Sequence, residues 1–330
     1  MTPTSRPPLG VVIPTFQREE VLIDTLRHLF QQFRAIQNIL LVDQTEHHEE
    51  RTRDFLSAAV DDGRLRWLRG EPPSIPRAMN IGLTAGDTEL VLFLDDDVIP
   101  NHTLVNSHIN AHAQFPDAWA VVGQVLQPAE ESRTRGDWES RGGFLADLDF
   151  PFWSNERAWV SNVMAGNLSV KRSLALDVGG FDENFEGAAY RFETEFARRL
   201  LRAGGKILFE PAASLRHLRA TRGGTRSEGS HLTSASPRHG AGDYYFAMRS
   251  GWSLDSVLYM LKRPWREVCT RFHLQHPWYI PVKLVGELRA FMRACSLARQ
   301  GPRLLAEEAG EAALGREPAT LNRLPEEAAR

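Results

Sequence analysis

The sequence predicts an α/β fold: a mostly parallel sheet flanked by helices, followed by a C-terminal helical extension. Three observations predict it. Short apolar runs and amphipathic segments alternate through the first hundred residues. Each run stops at a polar or proline punctuation. The last third carries helical periodicity alone, and 330 residues at 42% hydrophobic can bury a large core.

LGVVIPTF is the first apolar run, stopped by Pro14, and EEVLIDTLRHLFQQF then places Val21, Leu22, Leu26, Leu29, Phe30 and Phe33 at helical spacing. NILLVDQT is a second strand ending at Asp43. An acidic stretch with Phe55, Leu56 and Ala59 on one helical face leads to a third strand, RLRWLRG. Ser74 and Pro76 open a helix through RAMNIGLTAG, Ser74 as cap and Pro76 in the first turn. ELVLFL is the fourth strand, with Asp95, Asp96 and Asp97 beyond its carboxyl end. In such sheets ligands bind outside the carboxyl ends of the strands, so Asp43 and the three aspartates share one rim.

A helix near 103–115, a strand AWAVVGQVL, and a polar and aromatic loop from Gln127 to Trp159 come next. SNVMAGNLSVKRSLALDVGGFDENF, the amphipathic FETEFARRLLRAG and the strand KILFEPAASLRHL complete a region ending near residue 218. Residues 219–243 are rich in Gly, Ser, Thr and Arg and read as a flexible basic loop. Residues 244–330 read as two or three amphipathic helices with a frayed tail, GREPATLNRLPEEAAR.

The formal charge of −3 and a pI near 6.4 argue against a broad nucleic-acid-binding surface and leave room for a local basic patch. The start, MTPTSRPPLG, lacks a secretion signal, and no apolar run reaches the roughly 18 residues that span a bilayer, so the expectation is a soluble, cytoplasmic chain. Cys269 and Cys295 lack metal-ligand spacing and form no disulfide framework.

Along an extended stretch Asp95 and Asp97 point one way and Asp96 the other. A hard divalent cation, sharing its sites with water and phosphate oxygens, suits that arrangement; a solvated acidic turn is the alternative.

Taken in order, VVIPTFQRE (11–19), LLVDQT (40–45), PRAMNIGL (76–83), LFLDDDVIP (92–100), AGNLSVKRSLALDVGGFDENF (165–185) and FETEFARRLLRAGGKILFEPAASLRH (192–217) resemble the family 2 glycosyltransferases of the GT-A fold. The resemblance covers about residues 9–217, with a nucleotide-sugar half to about residue 100 and an acceptor half after it. It implies a Rossmann-like sheet and an inverting enzyme that uses a nucleotide-diphosphate sugar, here a UDP- or dTDP-sugar, with Mn²⁺ or Mg²⁺. A hexosyl or deoxyhexosyl group would pass to a glycan or lipid-linked acceptor in cell-surface or secreted polysaccharide synthesis.

Position by position, the resemblance assigns Pro14, Thr15 and Arg18 to the loop around the base and Asp43 to the base edge. Arg77 and Asn80 fall near the diphosphate; Asp95 falls at the ribose or metal, and Asp97 becomes the first metal ligand. Asp96 stands in the same donor site without a settled contact. Gly166 and Asn167 let backbone approach the sugar, and His217 matches a histidine that completes the metal site. A hydrogen-bonded structural histidine is the other reading of His217. Arg219, Arg222 and Arg226 suit a loop closing on the diphosphate, or a basic loop recruited to an anionic membrane.

An inverting transferase needs a carboxylate base for the acceptor hydroxyl. In the family it is the Asp of a Glu-Asp pair; here that pair is Phe192-Glu193, so Glu193 takes the role with one extra methylene, and Glu195 is the runner-up. That departure keeps a non-catalytic scaffold or binding subunit open. A nucleotidyltransferase is a second alternative, though PTFQREE is not the Gly-rich basic loop it would want. Trp138, Trp153 and Trp159 could stack on sugar rings or anchor their loop. Val282, Leu284, Val285, Leu288, Phe291 and Met292 form an apolar stripe read as a core face or homodimer contact, with peripheral membrane attachment as the alternative.

Overall fold

The computed structural model describes residues 6–224 and 230–305. The first elements are β1 (Leu9–Thr15), α1 (Glu20–Phe30), β2 (Asn38–Asp43), α2 (Glu50–Asp61), β3 (Arg66–Arg69), α3 (Ile75–Ala85) and β4 (Leu90–Leu94). Their strands lie in the order β3-β2-β1-β4, all parallel, so Thr15, Asp43 and the turn after Leu94 fall on one edge. Ser74 caps α3 by accepting the Arg77 N–H, with Pro76 in the first turn.

β5 (Val98–Pro100), α4 (Leu104–Gln114), β6 (Ala118–Leu126), β7 (Ala158–Val160), β8 (Asn167–Lys171), α5 (Arg172–Asp177), α6 (Phe192–Arg202) and β9 (Lys206–His217) follow. β8 runs antiparallel between β4 and β6, and β9 runs parallel to β6. The end of β9 turns back on β5, pairing Val98 with His217. That register carries His217 to the aspartate turn across 120 residues of chain.

Alternation along the strands sorts the core into two layers. Val12, Leu40, Val42, Val91 and Phe93 face one cluster, while Val11, Ile13, Leu41, Leu92 and Leu94 face the other, under α1, α2 and α4. The first cluster continues past the sheet into the C-terminal helices through Tyr244, Tyr245, Phe246, Ala290, Ala294 and Leu297.

Among the described residues those helices number four, where two or three were expected over the whole region: α7 (Ala241–Arg249), α8 (Leu254–Val268), α9 (Arg271–Gln275) and α10 (Tyr279–Gln300). α7 starts inside the stretch expected as loop, because Tyr244, Tyr245 and Phe246 are buried in the core. α10 turns its small residues Gly286, Ala290 and Ala294 inward together with Lys283 and Glu287. Of the stripe expected as a core face or homodimer contact, the core-face reading is reversed: Leu284, Val285, Leu288, Phe291 and Met292 are exposed and Val282 is half-buried. No helix among the described residues is long and apolar enough to cross a membrane. The tail expected to fray lies outside the described residues.

Candidate functional site

A cavity of about 730 Å³ opens at the carboxyl edge of the parallel strands, a size that suits a small-molecule ligand. One wall is the β1–α1 loop, with Pro14, Thr15, Phe16 and Arg18. Asp95, Asp96, Asp97 and His217 form the floor with Gly166 against Asp95, Glu193 also lines the cavity, and Leu148, Phe150 and Phe152 add apolar side chains.

The three aspartates differ in surroundings. Asp96 is buried and held by the Thr15 hydroxyl at 2.7 Å and Arg18 Nε at 3.2 Å. Burial pushes its carboxyl up to about 7, with Arg18 and Thr15 pulling down and the neighbouring charges of Asp97 and Asp95 pushing up. Asp97 is also buried, which opposes ionisation. His217, the Ala220 N–H at 2.8 Å and Arg18 outweigh that burial and hold the carboxyl below its ordinary range. Asp95 is half exposed and faces the cavity.

His217 Nε2 lies 3.1 Å from Asp97 Oδ1 and 3.8 Å from Asp95 Oδ2. Burial opposes charge on the ring, and Asp97 and Asp95 overcome it and raise its pKa. One ligand atom from each of Asp95, Asp97 and His217 lies within 4.8 Å of the others. Gln127 Oε1 accepts from Arg219 Nε at 2.8 Å, so it also accepts from His217 Nδ1, at 3.1 Å. That places a proton on Nδ1 and leaves Nε2, which donates to Asp97 while it is protonated, as the nitrogen that a metal would take in exchange for that proton. Two carboxylates and one imidazole fit Mn²⁺ or Mg²⁺, with further positions left for water and phosphate oxygens.

Arg18 joins this floor to the segment beyond β9. Its guanidinium reaches Asp96, Asp97 at 3.4 Å, and the carbonyls of Ala220 (3.0 Å) and Arg222. Gly224 N–H donates to Phe16 O at 2.7 Å. Gly223 has φ +79, and a Cβ there would stand 2.1 Å from Gln17 O, so only glycine lets the segment lie on the β1–α1 loop. Arg222 extends outward to Glu49 at 3.2 Å, away from the cavity wall, and Arg226 lies outside the described residues.

Glu193, in the first turn of α6, is on the cavity wall. Glu195 is not: it is buried, with both oxygens 2.9 Å from Arg199 Nε. Two residues along a helix turn the side chain to another face, which separates the two acids.

Other expected site residues lie behind the wall. Asp43 is fully buried; its Oδ1 accepts the Thr45 N–H (2.8 Å), and its Oδ2 accepts from His48 (3.0 Å), Trp67 Nε1 (2.8 Å) and Arg69 (3.0 Å). Burial opposes the charge of Asp43, yet these partners, His48 foremost, keep its pKa lowered. Asn80 ties α3 to the backbone of Phe181 in both directions, at 2.9 and 2.8 Å, and Arg77 lies on the same helix off the cavity. Asn167 Nδ2 donates to the carbonyls of Gln124 and Ala213 while its Oδ1 meets His108. Trp138 packs edge-on to Phe150, Trp153 lies under Arg133, and Trp159 packs on Phe115; none lines the cavity. The sequence reading missed Gln127 and the Arg18 bridge, which span 90 and 78 residues and carry no local pattern.

Residues 10–172 match the model of the family described as Glycosyl transferase family 2. The chain is 27% identical over 220 residues to a pre-mycofactocin glycosyltransferase of Mycobacterium tuberculosis, covering 64% of this chain and 44% of that one. It is 28% identical over 205 residues to a validoxylamine A glucosyltransferase of Streptomyces hygroscopicus subsp. jinggangensis, covering 55% and 48%. The chain thus spans about half the length of these curated relatives. Among solved structures it is similar to GalNAc-T7 with UDP, GalNAc and Mn²⁺ (TM-score 0.54, 14% identity, 84% of this chain and 56% of that one). It is also similar to a mannosyltransferase from Pyrobaculum calidifontis in complex with GDP-Man and Mn²⁺ (TM-score 0.51, 17% identity, 94% and 81%). At such identities the likeness is one of fold.

Proposed function

From the premise that residues 10–172 form a glycosyl transferase family 2 domain, we propose that the chain is an inverting glycosyltransferase. It moves a hexosyl or deoxyhexosyl group from a UDP- or dTDP-sugar to a hydroxyl of a glycan or lipid-linked acceptor, in cell-surface or secreted glycan synthesis. The observation that carries the reading is the placement of Glu193 and of the Asp95, Asp97 and His217 cluster on walls of one cavity.

Pro14, Thr15 and Phe16 supply the wall for the nucleotide, and Arg18 holds the aspartate floor in place. Mn²⁺ or Mg²⁺, held by Asp95, Asp97 and His217, would supply positive charge beside the diphosphate oxygens. Arg219 lines the same side of the cavity and adds its own charge to the developing leaving group. Glu193 accepts the proton of the acceptor hydroxyl as that oxygen forms the new bond to the anomeric carbon; the bond to the diphosphate breaks on the opposite face, which inverts the centre. Leu148, Phe150 and Phe152 keep water from competing with the acceptor.

Calorimetric titration of UDP, dTDP and GDP into the protein, with Mn²⁺ and with chelator, tests the donor half. Metal-dependent binding of UDP or dTDP that Asp97→Ala abolishes and Glu193→Gln retains is the expected result, followed by Glu193-dependent turnover of a nucleotide sugar. Absence of nucleotide binding under every metal condition would overturn the assignment and leave a scaffold role.

A further inference from the structure

The outward faces of α8 and α10 carry the residues that usually fill a core. On α8, Leu254, Leu258, Leu261 and Trp265 recur at helical spacing and are exposed, Leu261 by 69% and Trp265 by 73%. On α10, Leu284, Val285, Leu288 and Met292 form a second stripe. Trp252 and Trp278, at the approaches to α8 and α10, are 77% and 64% exposed. The inner faces of the same helices combine small and apolar residues with buried ion pairs: Arg263 pairs with Asp243 and Glu287, and Lys283 with Glu267 and Glu287. Stripes of this extent on a folded surface mark a contact with something apolar.

The charge of the region says what that contact is. Residues 241–305 hold ten Lys or Arg against four Asp or Glu, a net of plus six in a chain whose formal charge is −3, with Arg293 and Arg303 of the ten paired to Glu186 and Glu183. Asp243 and Glu287 are buried and Glu267 is turned inward to Arg263 and Lys283, so Asp255 is the one fully exposed acid of this region. Lys262 flanks the α8 stripe together with Arg266, which is half exposed and also reaches inward to Asp243, and Arg289 and Arg299 flank that of α10. A second copy docked through the same face would set cations against cations. Exposed Trp and Leu interleaved with Lys and Arg suit a phospholipid headgroup layer of negative charge, where the rings and aliphatic chains enter the interface and the cations meet phosphates.

We infer that the outer faces of α8 and α10 dock the protein peripherally on an anionic phospholipid bilayer. The docking is independent of nucleotide binding, so it stands or falls apart from the transferase reading.

Flotation of the full chain with vesicles tests it, using phosphatidylcholine alone and phosphatidylcholine mixed with phosphatidylglycerol. The expected result is binding to the mixed vesicles, weakened by salt, and little binding to phosphatidylcholine. Leu261→Ser with Trp265→Ser removes apolar contact, and Lys262→Glu with Arg289→Glu reverses charge. Each pair is exposed, so the melting temperature should hold while vesicle affinity falls roughly tenfold or more. No binding to the mixed vesicles, or equal binding to both compositions, would overturn the inference. So would a dimer in sedimentation velocity that Trp265→Ser dissociates, which would assign the face to a second copy.

Discussion

A Cβ built on Gly166 would stand 2.2 Å from Asp95 Oδ2, so the absence of a side chain at 166 is what lets Asp95 occupy the cavity floor. Asp95 is half exposed and can move aside. Gly166→Ala should therefore act on the site more than on the fold. The expected outcome is a metal-dependent UDP affinity lowered by about tenfold to a hundredfold, the range for disturbed metal sites. A melting temperature within a few degrees of the parent should accompany it, and titration beside a thermal scan checks both. A collapsed melting temperature would show that the glycine serves packing instead.

Glu193 and Glu195 separate by the same kind of paired measurement. Glu193→Gln keeps shape and removes the proposed base, so turnover should fall by about 10² to 10⁴ with nucleotide affinity unchanged. Glu195→Gln weakens a buried pair with Arg199. Loss of a buried partner costs about 3 kcal/mol or more, so the second variant should melt early while its folded fraction turns over normally. The reverse pattern would move the base to Glu195.

β1, β2 and β4 were legible because they are buried on both faces and read as unbroken apolar runs closed by Pro14, Asp43 and the aspartates. The Ser74 cap was legible for an equally local reason. The inward side of α10 was not: periodicity placed a stripe on it without saying which side faces inward, and Arg263 and Glu267, about twenty residues away, help bury Lys283 and Glu287. The meeting of His217 with Asp97 was legible only through the family resemblance, because it depends on the β5–β9 register, a pairing between segments with no shared local pattern. Side-chain partners are equally hidden from local pattern: the amide of Asn80 is held by the Phe181 backbone and that of Asn167 by the carbonyls of Gln124 and Ala213.

His108 and His112 give the protein an acid limit. His108 meets Asn167 Oδ1 and the Ser169 hydroxyl at 2.8 Å, and His112 meets the same hydroxyl at 2.9 Å. Asn167 Nδ2 already donates to two carbonyls, so its oxygen accepts and His108 carries its proton on Nε2. Burial lowers His108 to about 4 against the Asn167 contact; burial, with the charges of His108 and Lys171, lowers His112 to about 3. Below the ordinary histidine value of 6.5 the unfolded chain binds protons that the folded chain refuses, so stability is full above that value and declines as pH falls toward 4. The loss is on the order of 3 kcal/mol per histidine between pH 7 and pH 4. Urea unfolding across that range measures it, and His112→Gln should flatten the slope. A stability that stays level from pH 7 to pH 4 would remove both histidines from the account.

Asp43 is tied through the backbone to the β1–α1 loop, the wall proposed for the nucleotide. Its Oδ1 fixes the Thr45 N–H, and the Thr45 hydroxyl accepts the Gln17 N–H at 2.8 Å, which sets the β1–α1 loop that presents Phe16 and Arg18. His48, Trp67 and Arg69 occupy the other oxygen. Asp43→Asn turns one acceptor into a donor among these donors, and the expected loss is about 3 to 5 kcal/mol of stability. UDP and CDP affinities of the folded fraction should fall together, since the loop and not a base contact has been disturbed. Thermal unfolding with paired UDP and CDP titrations decides the matter. A variant that keeps its melting temperature and loses only its preference for UDP over CDP would return Asp43 to the base edge.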